Sequence, residues 1–564
     1  MYNTHFKTWL ASEKLSLSER NELLAMQGDP EEIKERFHSP LRFGTAGIRG
    51  IMGVGLHRMN VHIIRHASQA FANLILQKGV DGGIVIAYDC RNNAQLFAKE
   101  TAAVMAANGI FVRLFPSLRP TPQLSFAIRH FGAAAGVNLT ASHNPKEYSG
   151  YKVYWSDGAQ LPTDFANEIA MGMEEIDLFS SAVKTMDYEQ ALASGKIELL
   201  DSDIDNLFIK KVLAQRVEAF SNSQMNIVYT PFHGAGAPFV PQVLKQAGFE
   251  NVFSVEAQMI PDGNFPTVKS PNPEDPEGFS LAIKLAMEKK ASLIIGTDPD
   301  ADRVGAMVLH KGNYHMISGN QMGVLLLHYV IQARKKAGTM PKVPVFIQSI
   351  VSTEMSMDLA KKHGVTAYKV FTGFKHMAEK IANLPKEQKT IFSFEESFGY
   401  MIGDFIRDKD AITTSLFIAQ MAQWYESRNM TLLDGMEELF LDLGAFYEEC
   451  TLNLVMPGVS GLENMKNLME NLRENPPREI GGLKVVTVQD YLTGQQWTNN
   501  EKQEMEHRGS NVLGFTLADG TNFLVRPSGT EPKIKVYILA KGEKKEDLEK
   551  TVASCKAYAA TFTG

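Results

Sequence analysis

The stretch Ala134-Ala135-Gly136-Val137-Asn138-Leu139-Thr140-Ala141-Ser142-His143-Asn144-Pro145 decides how the rest of the chain is read. Residues 134–139 form a short apolar run, the pattern of a buried strand. Asn144-Pro145 then forces a turn, because the residue before a proline is steered away from helix. Ser142 is therefore expected at a strand-to-loop junction, where α/β proteins place reacting groups. A serine there suits a nucleophile or a phosphate carrier. It also suits a Ser/Asn/Pro turn without chemistry. No Ser-His-Asp order can be read from the sequence, so acyl transfer lacks support.

The same strand-then-loop pattern recurs on either side. Gly83–Tyr88 reads as a strand ending in Asp89-Cys90-Arg91, and Phe111–Phe115 as another. A helix-capable stretch near 200–216 leads out of this unit. The next opens with Asn226–Tyr229, followed by the loop Phe232-His233-Gly234-Ala235-Gly236. That loop misses a dinucleotide fingerprint, since its third glycine position is Phe239. A later strand, Ala291–Gly296, runs into Thr297-Asp298-Pro299-Asp300-Ala301-Asp302-Arg303. A third unit has strands at Val345–Ile350 and Thr390–Phe394, with loops Thr372-Gly373-Phe374-Lys375 and Glu395-Glu396-Ser397-Phe398-Gly399. Between about 446 and 480 the pattern weakens. The last unit differs, with strands near 511–517 and 533–540 and a closing helix that puts Leu548, Val552 and Cys555 on one face. Residues 1–40 read as short helices, with a capping box at Ser16–Glu19 and Asp29-Pro30 starting another. The expected fold class is α/β: three similar mixed-sheet units plus a smaller α+β unit.

Length and composition agree. A chain of 564 residues is too long for one core and suggests three to four domains of roughly 150 residues. A net charge of −7 argues against nucleic-acid or acidic-membrane partners, so an anionic substrate needs a local basic site. The three cysteines, Cys90, Cys450 and Cys555, lie far apart, which excludes a disulfide framework and a cysteine zinc site. No signal peptide is visible at the N-terminus, and the expected compartment is the cytoplasm.

Asp298, Asp300 and Asp302 repel one another unless a cation neutralises them. Hard oxygen ligands favour Mg²⁺ over Zn²⁺. A calcium EF-hand is excluded, because Arg303 and Leu309 stand where its glycine and glutamate belong. A solvated acidic turn is the alternative. Arg526-Pro527-Ser528-Gly529-Thr530 combines a guanidinium, hydroxyls and a glycine, a set that suits a phosphate. It is not a Walker A loop. Phe43–Gly50 is a second glycine-rich loop, with Arg49. Glu395, Ser397 and Lys375 suit sugar hydroxyls. A nucleophile, a cation site and anchors are the parts that phosphoryl transfer needs.

From about residue 41 to the end, these ordered motifs resemble the α-D-phosphohexomutase family, in particular its longer branch of phosphoglucomutases and phosphopentomutases. The resemblance implies domains at 1–204, 205–315, 316–446 and 447–564 around a central cleft. It implies that Ser142 is phosphorylated and that Ser142 with Asp298, Asp300 and Asp302 holds Mg²⁺. It implies catalytic roles for Lys152, Arg49, Arg303 and His143, and substrate binding by Lys375, Glu395, Ser397, Arg526, Ser528, Gly529 and Thr530. The expected activity interconverts glucose 1-phosphate and glucose 6-phosphate through a bisphosphate, with glucose 1,6-bisphosphate as activator and the phosphorylated sugar as the partner. Pentose or mannose phosphates as substrates, sugar-bisphosphate synthesis and a non-catalytic sugar-phosphate-binding role remain open at this point.

Overall fold

The computed structural model describes residues 2–44, 47–218, 223–456, 461–499, 501–528 and 533–563. Four sheets follow one another along the chain, and the first three share one plan. In the first, Val112–Leu114, Ile84–Tyr88 and Ala135–Leu139 lie side by side and parallel, and Tyr148–Trp155 returns antiparallel to the last of them. The second repeats this with Val252–Ser254, Ile227–Thr230, Leu293–Thr297 and antiparallel Val304–His310. The third does so with Thr366–Val370, Val343–Ser349, Gln388–Glu395 and antiparallel Gly399–Ile402. Ile197–Leu199 and Ile48–Ile51 extend the first sheet at its edges, and Asn313–Ile317 extends the second.

Burial on both faces explains why the parallel strands read as continuous apolar runs. In Ile84–Tyr88, Ile84, Ile86 and Tyr88 face one apolar cluster while Val85 and Ala87 face another, the period-2 alternation of a strand. The first cluster also takes in Phe6, Trp9 and Phe37 from the helices Tyr2–Ala11 and Pro30–Phe37. The second is continuous through Tyr229 and Ile295 to Phe346 and Phe394, so a single core joins the three sheets. Both N-terminal capping signals hold: Ser16 and Glu19 form the reciprocal box, and Asp29 caps the helix that begins at Pro30.

The fourth, eight-stranded sheet packs the helices Gly461–Glu474 and Lys545–Ala560 on one face, with Leu548, Val552 and Cys555 buried beneath. Tyr491, Leu524 and Tyr537 on its other face dock onto Ile350 and Val351 at the end of the third sheet's central strand. The weakly patterned stretch after 446 holds a ten-residue strand, Phe446–Val455. It sits at the sheet edge, paired with Lys533–Gly542, and most of its side chains are partly exposed, so it lacks a clean apolar alternation. Among the described residues, no helix is long and apolar enough to cross a membrane.

Candidate active site

In each of the three related sheets, the connection from the third parallel strand to its antiparallel neighbour carries chemistry. Ser142 lies between Ala135–Leu139 and Tyr148–Trp155. Asp298, Asp300, Asp302 and Arg303 lie between Leu293–Thr297 and Val304–His310, and Glu396-Ser397-Phe398 between Gln388–Glu395 and Gly399–Ile402. These are the carboxyl ends of parallel strands, where open α/β sheets bind ligands. Each connection holds one non-glycine residue at positive φ: Ser142 at 53°, Ala301 at 49° and Phe398 at 63°. Such left-handed residues cost energy and gather at functional turns.

The three connections converge. Ser142 Oγ donates to Asp298 Oδ2 at 2.9 Å and stands 3.1 Å from His143 Nδ1. The Ser142 N–H donates to Thr140 Oγ1 at 2.8 Å, and that hydroxyl donates to Asp89 Oδ2 at 2.6 Å. Burial, with Arg303 and Arg49 close by, pushes His143 well below its ordinary pKa and leaves the ring neutral. Burial likewise lifts Asp89 to about 6.

The three aspartates are fully or almost fully buried, with carboxylate oxygens within 4.8 Å of one another. Asp298 Oδ1 accepts the backbone N–H of Asp302 and of Arg303, each at 3.0 Å. Lys152 Nζ donates to Asp300 Oδ2 at 2.7 Å and lies 3.5 Å from Asp302 Oδ2. Lys409 Nζ lies 3.1 Å from Asp302 Oδ2 and 3.1 Å from Asp408 Oδ1. Burial, then Asp300 and Asp302, raises Asp298 well above the carboxylate range. Burial would raise Asp302 too, but Lys409, Lys152 and Arg303 overcome it and hold it low. Burial alone would lower Lys152, but Asp300 and Asp302 carry it above the ordinary lysine value. Among the described residues, Asp300 Oδ1 and Asp302 Oδ1 are buried without a hydrogen-bond partner. Unpaired oxygens in an all-carboxylate set fit a hard divalent cation such as Mg²⁺.

A cavity of about 330 Å³ opens beside these acids, lined by Glu274, Arg303, Glu395, Ser397, Arg526 and Lys535 among others. Arg303 Nη1 pairs with Glu274 Oε1 at 3.0 Å. Glu395 accepts the Gly373 N–H, and burial raises its pKa. Asn453, Lys535 and Arg526 are direct partners across three adjacent antiparallel strands, and all three line the cavity. The local basic site expected of an acidic protein is therefore present.

Comparison with known proteins matches four consecutive family profiles. Three are phosphoglucomutase/phosphomannomutase alpha/beta/alpha domains: domain I at residues 40–179, domain II at 206–312 and domain III at 318–441. The fourth is the C-terminal domain of the same family, at 471–553. The phosphoglucomutase of Staphylococcus haemolyticus is 38% identical over 508 residues, covering 90% of this chain and 91% of that protein. The chain belongs to the phosphoglucomutase/phosphomannomutase family. A phosphoglucomutase of Staphylococcus aureus (strain MRSA252) is 38% identical over 91% of this chain and 92% of its own length. Among solved structures, a phosphoglucomutase/phosphomannomutase family protein of Burkholderia thailandensis has a TM-score of 0.67 at 18% identity, covering 92% of this chain and 97% of that one. The open form of Paramecium pp63/parafusin has a TM-score of 0.67 at 19% identity, covering 93% and 96%. Both share this fold.

Of the residues singled out in the sequence of this family member, most meet in one place. Arg49 Nη1 donates to Asn144 Oδ1 at 2.8 Å beside the serine. The Ser528 N–H donates to the Lys533 carbonyl at 2.7 Å. Gly529 and Thr530, and Thr45 and Ala46 of the loop before Arg49, lie outside the described residues. Lys375 is not among the residues lining the cavity; its Nζ reaches across to Thr163 Oγ1 at 2.8 Å. Sequence reasoning misses Lys409 and Lys535. For Lys535 a signal exists, because it shares a strand face with Lys533 two residues earlier. Lys409 carries no such signal. It is delivered by the segment Asp404–Asp410, which the first unit grips: Arg129 donates to the Asp404 carbonyl at 2.7 Å, and Tyr154 and Gln160 donate to Asp408 Oδ2 at 3.0 Å each. The loop that fails the dinucleotide fingerprint has a structural task. Gly234 backs onto Pro299 so closely that a Cβ would fall 2.4 Å from its Cα, and the Ala235 N–H donates to the Pro299 carbonyl at 2.8 Å.

Proposed function

We propose that this chain interconverts glucose 1-phosphate and glucose 6-phosphate through a phosphoserine at Ser142 and an enclosed sugar bisphosphate. The observation that carries the reading is the Ser142 Oγ–Asp298 Oδ2 contact of 2.9 Å. It joins a strand-end serine to a cluster of three buried carboxylates, and the neighbours His143, Arg303 and Lys409 line a basic cavity beside them. The phosphoglucomutase relatives, similar over nine-tenths of the chain, support glucose phosphates as substrate.

In the first transfer, a free hydroxyl oxygen of the sugar phosphate bonds to the phosphorus of phosphoserine. The P–Oγ bond breaks, and the hydroxyl proton ends on Ser142 Oγ. The bisphosphate turns over in the cleft, and the same step runs backwards on its other phosphate. Ser142, Asp298, Asp300 and Asp302 would hold Mg²⁺, which when bound offsets charge on the transferring oxygens. Lys152 and Lys409 each carry a proton beside Asp302. Arg526, Lys535 and Asn453 anchor the phosphate that is not reacting, as a bidentate and point-charge pair can. Glu395 and Ser397 read sugar hydroxyls. Glucose 1,6-bisphosphate primes Ser142.

The test incubates the protein with Mg²⁺ and a trace of glucose 1,6-bisphosphate, then assays glucose, mannose and pentose 1-phosphates side by side. Glucose 1-phosphate is expected to turn over fastest, with phosphate found on Ser142 by peptide mass spectrometry. Failure of Ser142 to take phosphate from the bisphosphate would sink the reading.

A further inference from the structure

Arg91 is buried, and the reaction just described does not use it. It follows the strand Ile84–Tyr88, next to the strand that leads to Ser142. Its guanidinium faces the inside of the serine loop. Nη2 donates to the carbonyls of Ser142 and Asn144, both at 2.6 Å. Nη1 donates to the carbonyls of Pro145 at 2.8 Å and Tyr148 at 3.0 Å. Nε lies 3.4 Å from Asp89 Oδ2, and the Phe265 ring covers the group with its centroid 5.3 Å away. Asp89 closes the circuit, since Thr140 donates to the same carboxylate and accepts the Ser142 N–H.

We propose that Arg91 is the positioning residue that fixes the serine loop for phosphoryl transfer. The inference rests on the mutase reading above. Up to Tyr148 the loop is irregular backbone, and its inward carbonyls need partners. That of Ser142 is buried against Arg91, those of Asn144, Pro145 and Tyr148 are partly buried, and Pro145 also takes the Tyr148 N–H at 3.1 Å. One planar cation with five N–H groups satisfies four of them at once and holds their relative directions. It thereby holds Ser142 in its left-handed conformation and its Oγ on Asp298. A lysine keeps the charge but offers three donors from a single point, which cannot span the carbonyls of residues 142, 144, 145 and 148. The second unit reinforces the arrangement: Asn92 Nδ2 donates to Asn264 Oδ1 at 3.0 Å, one residue before Phe265.

The experiment compares full-length wild type, Arg91→Lys and Asp89→Asn with Mg²⁺ and glucose 1,6-bisphosphate. Misplacing a reacting group by about 1 Å costs on the order of 10²-fold, and that fall in kcat is expected for Arg91→Lys. KM for the sugar phosphate changes far less than kcat, because the loop gives the cavity wall His143 while Arg303, Glu395, Arg526 and Lys535 stand outside it. Hydrogen exchange rises in residues 141–148 and stays unchanged in residues 372–397. Asp89→Asn shows the same pattern with a smaller fall. If Arg91→Lys fails to fold, Asp89→Asn alone decides. Wild-type kcat and loop exchange in the variants would overturn the proposal. So would a loss of kcat with exchange raised throughout, which is a folding defect. A wild type that takes no phosphate on Ser142 defeats the mutase reading instead, and the two failures are thereby told apart.

Discussion

Ser142 and Asp298 occupy equivalent turns of two related sheets, and their side chains meet at 2.9 Å. Each turn follows the third parallel strand of its sheet and each contains a left-handed non-glycine residue. The repeat therefore presents two matching turns to one another, one bearing the hydroxyl and the other the acids. Further backbone bonds join them to their neighbours: the Thr121 N–H donates to the Asp300 carbonyl at 2.8 Å, and the Val304 N–H to the Phe398 carbonyl at 3.1 Å. The serine and the buried acids thus meet where the first two units pack, and the third unit bonds to the strand that follows the acids.

Ser142→Ala is expected to abolish turnover. Loss of a covalent nucleophile costs on the order of 10³-fold or more. Mass spectrometry should find phosphate on the wild-type peptide containing Ser142 and none on the variant. A variant retaining most of its activity would exclude the phosphoserine route.

The acids should make the fold sensitive to divalent cations. Asp298, Asp300 and Asp302 repel in a buried pocket, so a cation that binds only the folded state stabilises it, by about 2.7 kcal/mol at a hundred times its Kd. Thermal melts with increasing Mg²⁺ are expected to show a rising Tm in wild type and a much weaker rise in Asp300→Asn. Chelation should stop turnover and Mg²⁺ restore it. The same variant should lose several kcal/mol of transition-state stabilisation. A Tm indifferent to Mg²⁺ contradicts the assignment.

Much of this site is legible in the amino-acid sequence. The turns are marked by Pro145, Pro299, Gly373 and Gly399, and the strands leading to them are buried on both faces, so both signals survive in the residue pattern. What is not legible there depends on surfaces meeting. Lys409 reaches Asp302 from a loop held by Ser125, Arg129, Tyr154 and Gln160 of the first unit and by backbone bonds from Asp410 to Tyr400 and from Ala411 to Ala301. Phe446–Val455 is an edge strand whose Asn453 faces the cavity, so its pattern serves the ligand and the solvent as much as the core. Arg91 stands in the sequence only as the charged end of a strand, since its carbonyl partners lie some fifty residues on.

Asp410 gives a pH signature separate from the acids. It caps the helix Ala411–Glu426, accepting the N–H groups of Ile412 at 2.8 Å and Thr413 at 3.0 Å. Burial pushes its pKa up from 3.8 to about 6, against those hydrogen bonds. A carboxyl whose folded pKa lies above its unfolded value contributes stability below the unfolded pKa and loses it as pH rises through the folded one. The window is therefore pH 3.8 to about 6. Asn caps as well as Asp and does not ionise. Asp410→Asn should gain on wild type across that window, by up to about 3 kcal/mol above it. Denaturant melts of both proteins at pH 4 and pH 7 measure the difference. A gap that does not widen with pH contradicts the buried carboxylate.

The basic row tests the turnover of the bisphosphate. Arg526 and Lys535 are register partners on adjacent strands of the fourth sheet, and both line the cavity. A mutase must hold the non-reacting phosphate in both orientations of its sugar, so one fixed anchor serves two binding modes. Arg526→Ala removes a hydrogen-bonding anchor on a charged group, about 1.5–3 kcal/mol. Both directions of the reaction should slow by roughly ten- to a hundredfold in kcat/KM. Bisphosphate should also leave more often before its second transfer, because the anchor that retains it while it turns is weakened. Lys535→Ala should do the same to a smaller extent, as a point charge beside a fork. The measurement is kcat/KM from the 1-phosphate and from the 6-phosphate, with bisphosphate released into solution followed alongside. A loss confined to one direction assigns Arg526 to a single binding mode and removes the shared anchor from the mechanism.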